Sequence, residues 1–299
     1  MNTQTMATGD AGVARPSAGR WRQAFYRFNR SWVSWAGLVI IGLLCLAAIA
    51  GPALAPYPQD VQGAVHTALR FQAPSWQHWF GTNEFGQDVF SLVLAGARIS
   101  LVAGFLVVCL GALVGIVVGG IAGFAGGWID EILMRLVDLV LTLPGLILAM
   151  AIAAALGAGL GNTIFAIALS WWPGYARLVR GEVIARKEEM FVQAARALGA
   201  SPARILWRHV LPNVMSPVLI KLSLDMGFAI LSVASLSFLG IGVKPPTPEW
   251  GSLLATARNN LPDFWWTALF PGLCIFFAVL GFNLLGDGLR DVLDPKSRR

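Results

Sequence analysis

The sequence predicts an all-α integral membrane protein with six transmembrane helices and both termini in the cytoplasm. Three observations carry this. Of 299 residues, 56% are hydrophobic and only 13% charged, against about 25% charged in a soluble domain. Mean hydropathy is +0.66, and the apolar residues come in blocks that match the roughly 20 helical residues needed to cross ~30 Å of hydrocarbon. The basic residues gather in a few connections. A soluble chain of this size could not bury so many helices that are apolar on every side.

The first span is predicted from Val33 to Leu54, ended by Pro52, Pro56 and Pro58. The second runs from Ile99 to Gly126 without a charge. The third and fourth share the uncharged stretch Leu139 to Ala176, with a turn at Gly157 to Asn162. The fifth follows Pro212 to Phe238, and the sixth runs from Phe264 to Leu285. With the N-terminus inside, segments 1–32, 127–131, 177–208 and 286–299 carry sixteen Lys and Arg. The outer segments carry four: Arg70, Arg98, Lys244 and Arg258. That bias sets the orientation. It also explains the net charge of +6 without a nucleic-acid partner.

The chain divides into a cytoplasmic tail (1–32), a first span with its external loop (33–98), a core (99–288) containing a cytoplasmic loop at 186–212, and a C-terminal tail (289–299). The first span reads as a signal anchor. Cys45, Cys109 and Cys274 lie within apolar runs and suggest no disulfide framework. His66, His78 and His209 lack metal-ligand spacing, so no metal site is expected.

Within the spans, Gly111, Gly115, Gly119 and Gly123 share one helical face, suited to close packing inside this chain or against a second subunit. Pro144-Gly145 and Pro173-Gly174 permit kinks. Charges inside a span are costly in lipid. Lys221 and Asp225, four apart, read as an internal ion pair or as groups lining a route, with Asp225 meeting a cation. Arg135 and Asp138, three apart, read as a second internal pair.

The most informative segment is the cytoplasmic loop. Met190 to Leu198 favours helix, Gly199 stops it, Ser201 can cap a second helix with Pro202 at its first position, and Pro212 opens the fifth span. Such a helix pair, small on one side and basic on the other, suits docking to a partner. It equally suits an amphipathic helix at the membrane surface.

This loop resembles the EAA motif of permeases in ATP-binding-cassette importers, with Ala194, Ala195, Gly199, Leu211 and Pro212 at matching spacing beside Arg196. Gln193 replaces the usual Glu, and His209 a frequent Ile. Further segments extend the likeness: Phe80 to Asp88, Pro173 to Arg177, Leu236 to Gly240, Pro245 to Gly251, and Asn283 to Asp291 with Leu293-Asp294-Pro295. From about Arg20 to Lys296 the chain is similar to the dipeptide/oligopeptide/nickel permease family, specifically its second permease subunit (the dipeptide permease C type). Asn83 and Gln87 depart from the Asp and Arg common there.

The resemblance implies a type I importer permease fold, a homologous partner permease, two cytoplasmic ATPase subunits and an external solute-binding protein. None of Lys187, Lys221, Lys244 and Lys296 follows a glycine, so no phosphate-cradling loop is present. ATP and Mg would then sit on partner chains, and this chain would bind no cofactor. Gln193, Ala194, Ala195, Arg196, Gly199, Leu211 and Pro212 would couple ATPase motion to the spans. Pro246, Glu249 and Trp250 would form a landing surface for the binding protein, or a lid over the cavity. Peptides, glutathione, D-amino-acid dipeptides, opines and nickel all fall within the solutes implied. The rival functions are a stand-alone secondary transporter or channel, and a membrane enzyme.

Overall fold

A computed structural model describes residues 32–293. The predicted tail at 1–32, apart from Trp32, and residues 294–299 of the C-terminal tail lie outside the described residues. Among those described there is no β-strand, only an isolated bridge between Thr82 and Asp88.

Long apolar runs become long helices: α1 (Trp32–Leu54), α2 (Val89–Ala125), α3 (Gly127–Leu141), α4 (Gly145–Leu156), α5 (Leu160–Arg186), α6 (Met190–Ala197), α7 (Leu211–Phe238), α8 (Trp250–Ala257) and α9 (Trp266–Leu293). By length and apolarity α1, α2, α7 (with its lead-in from Pro202) and α9 can each cross a membrane. The pair α3 and α4 qualifies as a fifth, broken span.

Four boundaries differ from the sequence expectation, the simplest being α9, which continues past Leu285 to Leu293. α2 starts ten residues before Ile99, because Asp88 caps it through the Ser91 amide and Val89 to Ala97 pack on the chain's own external loop. At 37 residues it is about 55 Å long and outruns the bilayer. The third span does not begin at Leu139. α3 starts at Gly127, ends at Leu141, and turns by 86° into α4. Thr142 Oγ1 donates to the Leu139 carbonyl, and Pro144, which lacks an N–H, precedes the first residue of α4. α5 continues ten residues past Ala176 and carries Pro173 inside it.

The core lies between α2, α5 and α7, where Val107, Ile167, Tyr175, Val179, Ile230 and Val233 are buried. The glycine stripe of α2 makes this possible. A methyl at Gly115 would overlap Tyr175 Cβ, one at Gly119 the Ala176 carbonyl, and one at Gly123 would come within 2.8 Å of the Arg180 carbonyl. The stripe therefore packs within this chain. α1 crosses α2 and α9 in the same way, through Gly51, Gly37 and Gly281. A cavity of about 670 Å³ opens between α1, α2, α7 and α9. Its walls are hydrocarbon apart from Cys45, Cys109, Met226 and Ser223, so it suits apolar matter far better than a polar solute.

Candidate functional site

Three groups of residues matter, one at each end of the bundle and one inside it. At one end, α6 follows a short turn after α5. Val192 is fully buried and anchors it, while Met190 and Leu198 are 85% and 89% exposed. Gly199 ends the helix at φ +77°, a conformation favouring glycine. Ala200 N donates to the Ala195 carbonyl at 3.0 Å, closing the turn. Ser201 then caps the next turn through the Arg204 amide, with Pro202 at its start, and a π-helical stretch, Ile205–Val210, leads into α7.

Gln193, Ala194, Arg196, Gly199 and Pro212 are exposed. Ala195 and Leu211 are not on that face. Ala195 is half-buried against the core, and Leu211 is buried, 3.3 Å from where a Gly120 methyl would stand. The Gln193 amide donates to the Glu188 carbonyl at 3.0 Å, a bond that a carboxylate in its place could not donate. At the same end, Arg180 grips Asp130 with two bonds of 2.5 and 2.6 Å, and Lys187 donates to the Gly123 carbonyl. These tie α5 to α3 and α2 beside the root of α6.

Inside the bundle, Lys221 and Asp225 pair at 2.9 Å on α7. The Lys221 ammonium also stands 5.0 Å over the Tyr175 ring. The expected pair of Arg135 with Asp138 does not form. Arg135 turns back one turn to Glu131 at 3.1 Å, and Asp138 reaches Arg177 of α5 at 2.5 Å. Spacing by four is as good a helix contact as spacing by three, and Arg177 is a partner that local spacing cannot reveal.

At the opposite end, residues 55–88 fold into a compact cap. Asp60 accepts from His66 Nε2 (2.9 Å) and the Asp88 amide (2.8 Å), and Asp88 accepts from His78 Nδ1 (3.0 Å). Asn83 donates to Gln87 at 2.9 Å, so two neutral amides hold the loop where the resembling family commonly carries an acid and a base. Pro246 is exposed and borders a cavity of about 270 Å³ with Asn83, Gln87 and Val65.

Glu249 and Trp250 correct the expectation of a landing surface, since both are fully buried. The Glu249 carboxylate caps α8, accepting from the Gly251 and Ser252 amides at 2.9 Å and from Ser100 Oγ at 3.1 Å. The Trp250 indole lies against Gly96 and donates to the Val93 carbonyl at 3.0 Å. An acid at a helix N-terminus suits the local dipole, which makes these residues fasteners between α8 and α2. Among the described residues no cluster of three His, Cys, Asp or Glu could hold a metal ion.

A bundle of long apolar helices with a short exposed helix between two of them is the architecture of a multi-pass membrane protein, and sequence comparison assigns its class. The family described as "Binding-protein-dependent transport system inner membrane component" matches residues 115–299, and "N-terminal TM domain of oligopeptide transport permease C" matches residues 19–74. The dipeptide transport system permease protein DppC of Alkalihalophilus pseudofirmus is 43% identical over 278 residues, covering 93% of this chain and 90% of that protein. The glutathione transport system permease proteins GsiD of Escherichia coli and Shigella boydii are each 44% identical over 276 residues, covering 92% of this chain and 90% of theirs. The chain belongs to the family of binding-protein-dependent transport system inner membrane components. It is an inner-membrane permease subunit of an ATP-binding-cassette importer and not an enzyme, and the stand-alone transporter or channel is set aside.

Proposed function

We propose that this chain forms half of a translocation pathway for di- or oligopeptides or related small solutes such as glutathione. It crosses the membrane six times, through α1, α2, the broken pair α3 and α4, α5, α7 and α9, with both termini in the cytoplasm. A second, homologous permease completes the pathway. Two cytoplasmic ATPase subunits carry the ATP and Mg, and this chain binds neither. A solute-binding protein delivers the solute outside, where the exposed Pro246 rim offers a contact.

The sidedness of the fold supports this topology. The segments counted as external, 55–98 and 240–263, join at one end, as in the Asn260 to Glu84 bond of 2.8 Å. The basic segments join at the other, around Arg180, Lys187 and α6.

The observation that carries the reading is α6 itself. Its face of Gln193, Ala194 and Arg196, flanked by exposed Met190 and Leu198, has small and basic residues between two apolar side chains. Two large apolar side chains so exposed beside small and basic residues favour a contact surface here. Closure of the ATPases would move α6, and the buried Val192 and Leu211 would pass that motion to α5 and α7. The pathway then opens alternately to the two sides.

Replacing Ala194 by Trp fills the contact without touching the core. In the assembled importer this variant should lose solute uptake and lose the stimulation of ATP hydrolysis by the loaded binding protein. Uptake at the unmodified rate removes the coupling role. Ala195→Trp should have the same effect with an added loss of stability, because Ala195 also packs inward.

A further inference from the structure

Asp225 is the fifteenth of the 28 residues of α7, with Lys221 one turn before it. At the middle of a span, a charge faces protein or a water-filled space, and such residues mark solute routes. Two features separate this pair from a purely structural one. It is unsealed: the Lys221 and Asp225 side chains are 34% and 17% exposed, whereas Glu249 has no exposed surface and three donors. Beside it, the Tyr175 hydroxyl is buried next to the Asp225 carboxylate, and the approach falls short of normal hydrogen-bond geometry. A buried hydroxyl held short of a full hydrogen bond is costly and uncommon.

The geometry points to Tyr175, Lys221 and Asp225 as the site that receives the charged ends of a zwitterionic solute in the pathway: Asp225 takes its ammonium, Lys221 its carboxylate, and the Tyr175 hydroxyl the hydrogen bond it now lacks. The inference rests on the proposed reading of the chain as half of a pathway. The chemistry gives selectivity. A simple cation that captured Asp225 would strand the Lys221 ammonium at mid-membrane, and a simple anion would strand Asp225. A molecule carrying both charges exchanges one internal pair for two external ones and leaves no charge uncompensated. Between solutes the two protein charges neutralise each other and the ammonium rests on the Tyr175 ring.

The test uses the assembled importer in proteoliposomes, with ATP inside and a binding protein saturated with labelled Ala-Ala or glutathione outside. The readout is solute delivered per ATP hydrolysed. In Lys221→Met combined with Asp225→Asn, no lone charge is left, so a purely structural pair predicts unchanged delivery. The site predicts that the binding protein still stimulates ATP hydrolysis while delivery per ATP falls about tenfold or more. Tyr175→Phe keeps both the pair and the ring, and decides the matter if the double variant fails to assemble. Delivery should fall about threefold, the weight of one neutral hydrogen bond. Unchanged delivery per ATP in either variant overturns the site and leaves the permease reading intact. Absence of uptake of both solutes by the unmodified importer counts against the proposed solute class instead.

Discussion

The two ends of this bundle are built on opposite plans. The end formed by residues 55–98 and 240–263 satisfies its polar groups internally: Asp60, His78, Asp88, Asn83, Gln87 and Glu249 are all buried and hydrogen-bonded. The end that carries α6 leaves Met190 and Leu198 almost bare and holds the helix to the core through Val192 and Ala195. One end satisfies its buried polar groups within the chain, and the other carries the short helix for which docking is proposed. Charge burial is affordable only with donors at hand, and the proposed ATPase contact is what would cover Met190 and Leu198.

That contrast can be broken most directly at Glu249. Replacing it with Ala strips the α8 cap and leaves Ser100 and two amides without their acceptor, which should cost about 3 kcal/mol. Thermal denaturation in detergent measures it, and a loss under about 1 kcal/mol would show that this end is less self-contained than its bonds suggest. Next comes Asn83→Leu, which removes the donor to Gln87 and the acceptor for the Phe85 and Gln87 amides. The expected cost is about 2 kcal/mol in the same assay. The smallest stability effect belongs to the other end. Met190→Ser with Leu198→Ser should change stability by no more than about 0.5 kcal/mol. The same variant should weaken capture of the purified ATPase subunits at least about tenfold. A marked drop in melting temperature for this pair would mean that α6 is built into the fold after all.

The helices themselves were largely legible. Uninterrupted apolar runs foretold α1, α7 and the start of α9 within a few residues, since hydrocarbon length and helical rise leave little choice; α9 runs on past Leu285 to Leu293. Charge hid α3: Asp130, Glu131, Arg135 and Asp138 made it read as a short turn and the inner end of a span, although its ion pairs reach α5 or run along its own face. At the site, Lys221 and Asp225 were visible from spacing alone. Tyr175 was not, because nothing local links residues 46 and 50 positions apart; it stood in the sequence only as part of Pro173 to Arg177. Glu249 misled for a chemical reason. An acid in a proline-rich loop reads as surface until the amides of the following helix are seen to surround it.

The right-angled break at Thr142 to Pro144 has a consequence for the cell. Leu141 to Pro144 are exposed on the isolated chain, and a helix that stops and restarts leaves peptide carbonyls with no amide of their own. Lipid tails cannot supply one, so irregular backbone endures at that depth only when buried in protein or wetted by a cavity. In the proposed topology a copy without its partners would turn this elbow toward hydrocarbon. Unassembled copies should therefore be short-lived, which pulse labelling of the chain expressed alone would measure.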